Sequence, residues 1–376
     1  MMQALNTMDA TTRPELAVPE QAIAEKRRKG RGAGANPSSR FDTIKRLQSD
    51  DGWDIEEELP PFKTEVMNEQ ARRIITRNTS PDIGFDQSIN AYRGCEHGCI
   101  YCYARPSHAY LGLSPGLDFE HKLTAKPNAA EQLKLELSAP SYEPKTIAMG
   151  TNTDPYQPIE KDRKITRNLL QVLSDAHHPV TIATKSALIM RDMDILSSMA
   201  ERNLVKVFLS ITTLDKEIAR GMEPRAATPK RRLDAIRTLA SAGIPTGVMA
   251  APIIPGLTDH ELEAILSSAH AAGATAASYI LLRLPLEVSP LFREWLLRKH
   301  PGRYRHVMSL VRSMRGGQDY DTRFNVRMKG EGPYAETLAK RFELQCKRLR
   351  LERRNHRLRT DLFQPPYPPA QQLSLL

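Results

Sequence analysis

Gly94-Cys95-Glu96-His97-Gly98-Cys99-Ile100-Tyr101-Cys102-Tyr103 places three of the chain's four cysteines within eight residues. Such clustering marks a ligand site. Three thiolates can hold three corners of a cubane [4Fe-4S] cluster and leave the fourth iron open to a small molecule. The alternative is a zinc site with His97 as fourth ligand, although structural zinc sites usually draw on two cysteine pairs and the chain has no second pair. A disulfide framework does not fit, because three cysteines cannot pair among themselves. Cys346 lies far away in a helical pattern and reads as a buried helix cysteine.

Outward from this loop, 376 residues at 40% hydrophobic suffice for one large α/β domain of about 200 to 250 residues with appended segments. No window approaches the run of about 18 apolar residues that a membrane span needs. Met1 to Glu20 lacks the basic and apolar regions of a secretory signal. Together with sparse cysteine use, this leads us to expect a cytoplasmic enzyme. The net charge of +10 is uneven: residues 291–360 carry 19 Lys/Arg against 7 Asp/Glu. A basic C-terminal part fits phosphate backbones of DNA or RNA, or else a solvated helical face of arginine–glutamate pairs.

The pattern divides the chain into five segments. Residues 1–60, with the basic run Lys26-Arg27-Arg28-Lys29-Gly30-Arg31-Gly32-Ala33-Gly34, read as a mostly disordered tail. Residues 61–84 lead into 85–285, where short β-branched runs alternate with amphipathic segments, the signal of βα units around a parallel sheet. Six strands are predicted, at Ser88 to Arg93, Thr146 to Thr151, Val180 to Lys185, Val205 to Thr212, Thr246 to Ile254 and Ala276 to Leu284. Helices fall at 128–138, 164–177, 190–203, 229–242 and 259–272. Thr228 before Pro229 reads as an N-cap, Thr258 with Glu261 as a capping box, and Gly243 and Gly273 as helix ends. Residues 286–360 form a basic helical extension, with helices at 286–315 and 332–351. A Pro-rich tail, 361–376, begins around Gln364-Pro365-Pro366-Tyr367.

In parallel βα architectures catalytic groups collect at the C-terminal ends of the strands. Those ends read Gly150-Thr151-Asn152-Thr153-Asp154-Pro155-Tyr156-Gln157-Pro158-Ile159-Glu160, then Ala183-Thr184-Lys185-Ser186, Leu209-Ser210-Ile211-Thr212 and Ala251-Pro252-Ile253-Ile254-Pro255-Gly256.

The three-then-two cysteine spacing, with an aromatic directly before Cys102, resembles the cluster loop of the radical S-adenosylmethionine (radical SAM) superfamily. Thr153 to Glu160, Cys102-Tyr103 and Pro255-Gly256-Leu257-Thr258-Asp259 resemble its spore photoproduct lyase-like branch. Arg31 to Pro37 with Arg40-Phe41 is similar to an uncharacterised bacterial subgroup of DNA repair photolyase-like proteins. The resemblance implies a partial (βα)6 barrel. It further implies a [4Fe-4S] cluster on Cys95, Cys99 and Cys102, SAM as second cofactor, and a reductant such as flavodoxin or ferredoxin. Lys185, Ser210 and Asn152 are then candidates for SAM's methionine and ribose groups. Arg225 would meet its carboxylate, and Tyr101 and Pro252 its adenine. The usual glycine- and glutamate-containing motif after the second strand is missing here; Thr151 to Asp154 occupies its place. Tyr103 matches a tyrosine that serves the lyase as a hydrogen-atom relay, but the lyase's cysteine near the second strand end has no counterpart. Asp154, Tyr156 and Glu160 are expected to line the substrate side. Besides a lyase-like reaction on nucleic acid, modification of a protein or small molecule and a non-catalytic zinc-binding nucleic-acid module stay open.

Overall fold

The computed structural model describes residue 23 and residues 27–42, 60–352 and 357–367. Among these described residues ten strands run in chain order: β1 (Glu65–Asn68), β2 (Ile75–Arg77), β3 (Gln87–Ile89), β4 (Tyr92–Arg93), β5 (Lys122–Ala125), β6 (Ile147–Met149), β7 (Val180–Thr184), β8 (Val205–Ser210), β9 (Thr246–Ile253) and β10 (Ala276–Leu281). Seven build the main sheet in the order β10-β9-β8-β7-β6-β3-β2. All neighbours are parallel except β2, which pairs antiparallel with β3. Parallel strands joined by helices are covered on both faces, which is why their runs are continuously apolar rather than alternating. Ile147, Val180, Ile182, Val205, Val207 and Val248 are fully buried against Leu133, Leu169, Leu196, Leu239 and Leu266 of the connecting helices. The fold is thus the predicted α/β class, a parallel sheet open at the β10 and β2 edges.

The predicted first strand is two strands. After Ile89 the chain leaves the main sheet, because the Asn90 side-chain oxygen turns to accept from the Asn152 and Thr153 amides at 3.0 and 3.3 Å. β4 then joins a separate three-stranded sheet, β1-β5-β4. That small sheet lies outside the βα pattern and left no periodic signal. Thr228 caps its helix as predicted, by accepting from the Arg231 amide, and Gly243 and Gly273 take left-handed backbone at φ +74° and +101°. The capping box at Thr258 is not formed. The Thr258 hydroxyl accepts instead from the Ile254 amide at 3.0 Å, and Glu261 accepts from Thr213 at 2.8 Å.

The predicted helix over 286–315 breaks at Pro301 into Val288–Lys299 and Tyr304–Ser313. Both pack into a second core, where Phe292, Trp295, Val307 and Met308 meet Ile100 and Tyr101 of the cysteine loop. Helix Pro333–Leu349 lies on Leu262–Ala271, tied by Arg341 to Glu263 at 2.6 Å.

Both predicted tails need correction where they are described. Residues 31–35 are buried, and Gly32 and Ala33 donate their amides to Glu120. At the other end, the Gln364 amide bonds the Ala176 carbonyl at 2.9 Å and Phe363 packs on Tyr142 and His178. Glycine-rich and proline-rich composition records low intrinsic order, but it does not record a groove waiting for that backbone. Residues 1–22, 24–26 and 43–59, and Pro368 onward, lie outside the described residues. Among the described residues no helix is long and apolar enough to cross a membrane.

Candidate active site

One cavity, roughly 950 Å³ including its open mouth, sits over the C-terminal ends of β6 to β10. Cys95, Cys99 and Cys102 line it together with Tyr101, Tyr103, Asn152, Asp154, Lys185, Ser210 and Pro252. These ten residues, drawn from the cysteine loop and four strand ends, were all singled out in the sequence.

The cysteine loop is a series of tight turns. Gly98 donates to the Cys95 carbonyl at 3.3 Å and the Cys102 amide to the Cys99 carbonyl at 3.2 Å, while the Ile100 amide is tied to Met222 at 3.0 Å. Cys95 and Cys99 are buried and Cys102 is half-buried. Burial pushes all three thiols up, Cys99 to about 12, so neutral thiols are the resting form of the metal-free loop. Metal binding must therefore displace protons. No three His, Cys, Asp or Glu side chains among the described residues converge on a single ion position. A cubane spreads three thiolates over three irons and needs them to line a cavity, as these do.

Beneath the loop two carboxylates are held ionised. Burial alone would raise Asp154, but His97 at 3.3 Å, the Thr184 hydroxyl at 2.7 Å and the Lys185 amide at 2.8 Å bring it down to about 2. Glu223, fully inside, is likewise brought to about 2 by Arg232 and Lys185 against the opposing effect of burial. Glu223 accepts from the Tyr101 hydroxyl, and from Thr212 at 2.8 Å, so it fixes the aromatic between two of the cysteines. Lys185 holds its ammonium 5.8 Å from the centre of that ring.

Three predicted site residues are not brought to the cavity. Glu160 has no exposed surface; it accepts from Tyr92, from the Thr166 amide at 3.0 Å and from Arg191 at 2.8 Å, because the helix it opens turns it into the interior. Tyr156 is fully buried beside Arg191. Arg225 lies on the outer side of the cysteine loop, where it pairs with Glu96 at 3.1 Å and its amide bonds the His97 carbonyl. Asp154 does face the cavity, yet its oxygens serve His97, β7 and the Tyr156 amide.

Two groups escaped the sequence reading. Arg232, in the helix Pro229–Ser241, is buried and paired with Glu223. Arg283 lines the cavity wall just past β10, with its guanidinium 4.9 Å from the Tyr103 ring centre, 5.9 Å from that of Tyr320, and a buried Nε that has no hydrogen-bond partner. Arg283 stands at the C-terminal end of the sixth predicted strand, Ala276 to Leu284, so its position carried the signal.

Residues 89–269 match the radical SAM superfamily, and the chain belongs to that superfamily. It is 39% identical over 228 residues to an uncharacterized protein of Mycobacterium tuberculosis, spanning 59% of this chain and 67% of the relative. With an uncharacterized protein of Methanocaldococcus jannaschii it shares 30% identity over 245 residues, 64% of this chain and 86% of the other. In three dimensions it is similar to spore photoproduct lyase complexed with dinucleoside spore photoproduct. That likeness has a TM-score of 0.53 at 16% identity, over 76% of this chain and 79% of the lyase. The shared architecture establishes the fold, including the partial barrel with its helical flank.

Proposed function

We propose that Cys95, Cys99 and Cys102 hold a [4Fe-4S] cluster whose open iron binds SAM, and that the enzyme abstracts hydrogen from a nucleic-acid substrate. The observation that carries this reading is the single cavity in which three thiols, a lysine ammonium and the polar ends of β6 to β9 meet. When bound, the reduced cluster and SAM supply reductive cleavage of SAM to methionine and a 5′-deoxyadenosyl radical that abstracts hydrogen. The chain's own residues bind and orient. Lys185 offers a cation to the methionine carboxylate, Ser210 and Asn152 offer hydrogen-bonding groups to the amine and ribose, and Tyr101 with Pro252 flanks the adenine. Tyr103 follows the third cysteine, is 46% exposed and donates its hydroxyl to the Thr151 carbonyl; on this reading it would serve as a hydrogen-atom relay.

For the substrate, Arg283 holds its guanidinium 4.9 Å from the Tyr103 ring centre in the cavity wall and donates to the Tyr320 hydroxyl at 3.2 Å, an arginine–aromatic pair of the kind on which unpaired bases settle. The lyase of similar fold is complexed with a dinucleoside photoproduct. In the absence of a cysteine at the second strand end, the last hydrogen would come from elsewhere, so the reaction here differs from dimer splitting by that route. Electrons would come from a flavodoxin or ferredoxin.

Anaerobic reconstitution with iron and sulfide, reduction with SAM present and chromatography for 5′-deoxyadenosine test the chemistry, with Cys99→Ala as control. Cysteine-dependent product is expected; zinc in place of iron and sulfide would move the protein to the non-catalytic class. Retardation of single-stranded DNA or RNA that weakens with salt and with Arg283→Ala tests the substrate, and no retardation would favour a protein or small-molecule target.

A further inference from the structure

The cysteine loop has a back face, away from the cavity, that none of the steps above uses. Arg105 lies there with no exposed surface. It donates to the carbonyls of Cys99 at 2.9 Å, Gly98 at 3.3 Å, Pro115 at 3.1 Å and Gly116 at 2.8 Å, and to the Glu120 carboxylate at 2.6 Å. Glu120, equally buried, completes its shell with the Gly32 and Ala33 amides, both at 2.8 Å. Arg31 in turn donates to the Glu120 carbonyl at 2.6 Å and to the Phe62 carbonyl at 3.0 Å.

The fit is close. A Cβ at position 32 would stand 2.0 Å from the Gly98 carbonyl oxygen, and one at position 98, where φ is +66°, would stand 2.7 Å from the Glu120 carboxylate. Only glycine serves at both places. Backbone with no regular structure thus reaches across more than 60 residues of chain to end on the carbonyls of the central cysteine turn.

We infer that Arg31–Ala33, Glu120 and Arg105 are a positioning device for the cluster, holding the Gly98 and Cys99 carbonyls and placing a compensated charge pair beside the iron–sulfur site. The inference rests on the cluster reading given above. A buried ion pair is weak support for stability, since apolar residues of equal volume often do as well. It does, however, set local charge, and cluster potential follows net charge and the hydrogen bonding around the ligands. Removing the Glu120 charge leaves the Arg105 cation uncompensated and favours the more negative, reduced cluster. Crowding position 32 pushes the Gly98 carbonyl and loosens the turn.

The experiment uses the full chain, wild type beside Glu120→Gln and Gly32→Ala. Hydrogen exchange of the amides of residues 95–102 is followed in the metal-free protein. Iron loss to a chelator and the midpoint potential, by spin resonance of the reduced cluster, are followed after reconstitution. We expect a more positive potential in Glu120→Gln, and severalfold faster exchange and iron loss in Gly32→Ala. Unchanged potential in Glu120→Gln together with unchanged exchange in Gly32→Ala overturns the inference. Should Glu120→Gln fail to fold, exchange in Gly32→Ala decides alone. A wild type that binds no cluster counts against the function proposed above, while the exchange comparison still reads the device.

Discussion

On the cavity side of residues 95–102, Arg283 keeps a buried Nε without a partner and Tyr103 stays half exposed; on the opposite side Arg105 spends its donors on five oxygens and Glu120 accepts from three groups. The same eight residues are thus finished on one face and unfinished on the other. Buried polar groups are ordinarily satisfied, so an orphaned donor at a cavity wall is a place where a ligand completes the structure. A reactive site needs both conditions, open valence in front and a support that cannot shift behind. The sharpest way to break the contrast is Cys99→Ala, which takes a ligand from the open face. Cluster retention and 5′-deoxyadenosine formation are expected to be abolished while the metal-free fold persists, as read by circular dichroism; product surviving the change would mean that the cysteines do not form the site.

Arg105→Leu attacks the closed face. It strands the Glu120 carboxylate in the interior, and a loss of about 3–5 kcal/mol is expected from a denaturant titration of the metal-free protein. A loss below about 1 kcal/mol, the size usual for exposed pairs, would show that the back face is wet and the contrast false.

The open face was far more legible in the sequence than the closed one, for a physical reason. Strand ends in a parallel sheet converge by topology, so Lys185, Ser210 and Pro252 could be placed in one cavity from their position after β-branched runs alone. The helices at 229–241 and 262–271 and the six parallel strands followed from the same periodicity. The closed face is made by backbone amides of Gly32 and Ala33 and by carbonyls of Gly98 and Cys99, groups that every residue carries and no pattern marks. Glu160, reached from a strand end, and Arg225, taken from its place before the helix at 229–241, illustrate a related limit: position along the chain does not say which way a side chain turns, and both turn away from the cavity into ion pairs with Arg191 and Glu96.

Acid supplies a third test, because the far end of the sheet is finished too. His178, buried between Tyr142 and Phe363, accepts from or donates to the Tyr142 hydroxyl at 2.7 Å and contacts the Pro179 carbonyl at 3.0 Å. Burial pushes it from its ordinary 6.5 down to about 4. Between those values the unfolded chain takes up a proton that the native chain refuses. The stabilisation is therefore complete above pH 6.5 and lost as pH falls toward 4, by up to about 1.4 kcal/mol per pH unit. In His178→Gln that stretch of the stability–pH curve should flatten, as read by urea midpoints from pH 7 to 4.5. An unchanged slope would assign acid sensitivity to groups nearer the cysteine loop.

The smallest expected effect separates the two ends of the open face itself. Lys185 stands over Tyr101 and Arg283 over Tyr103, each a cation against an aromatic that flanks Cys102, and the cofactor carboxylate needs only one of them. The Lys185 amide donates to Asp154 beneath the loop at 2.8 Å, whereas Arg283 donates to the Tyr320 hydroxyl at 3.2 Å. On that placement Lys185→Ala weakens SAM binding about tenfold, equivalent to about 1.4 kcal/mol. Arg283→Ala should leave SAM binding within about twofold and lower affinity for single-stranded nucleic acid instead. Calorimetric titration of the reconstituted protein with SAM, for both variants, reads the difference directly. If Arg283→Ala takes the larger loss of SAM, the cofactor lies toward the mouth, the arginine–aromatic pair belongs to its adenine, and the substrate must enter past Lys185.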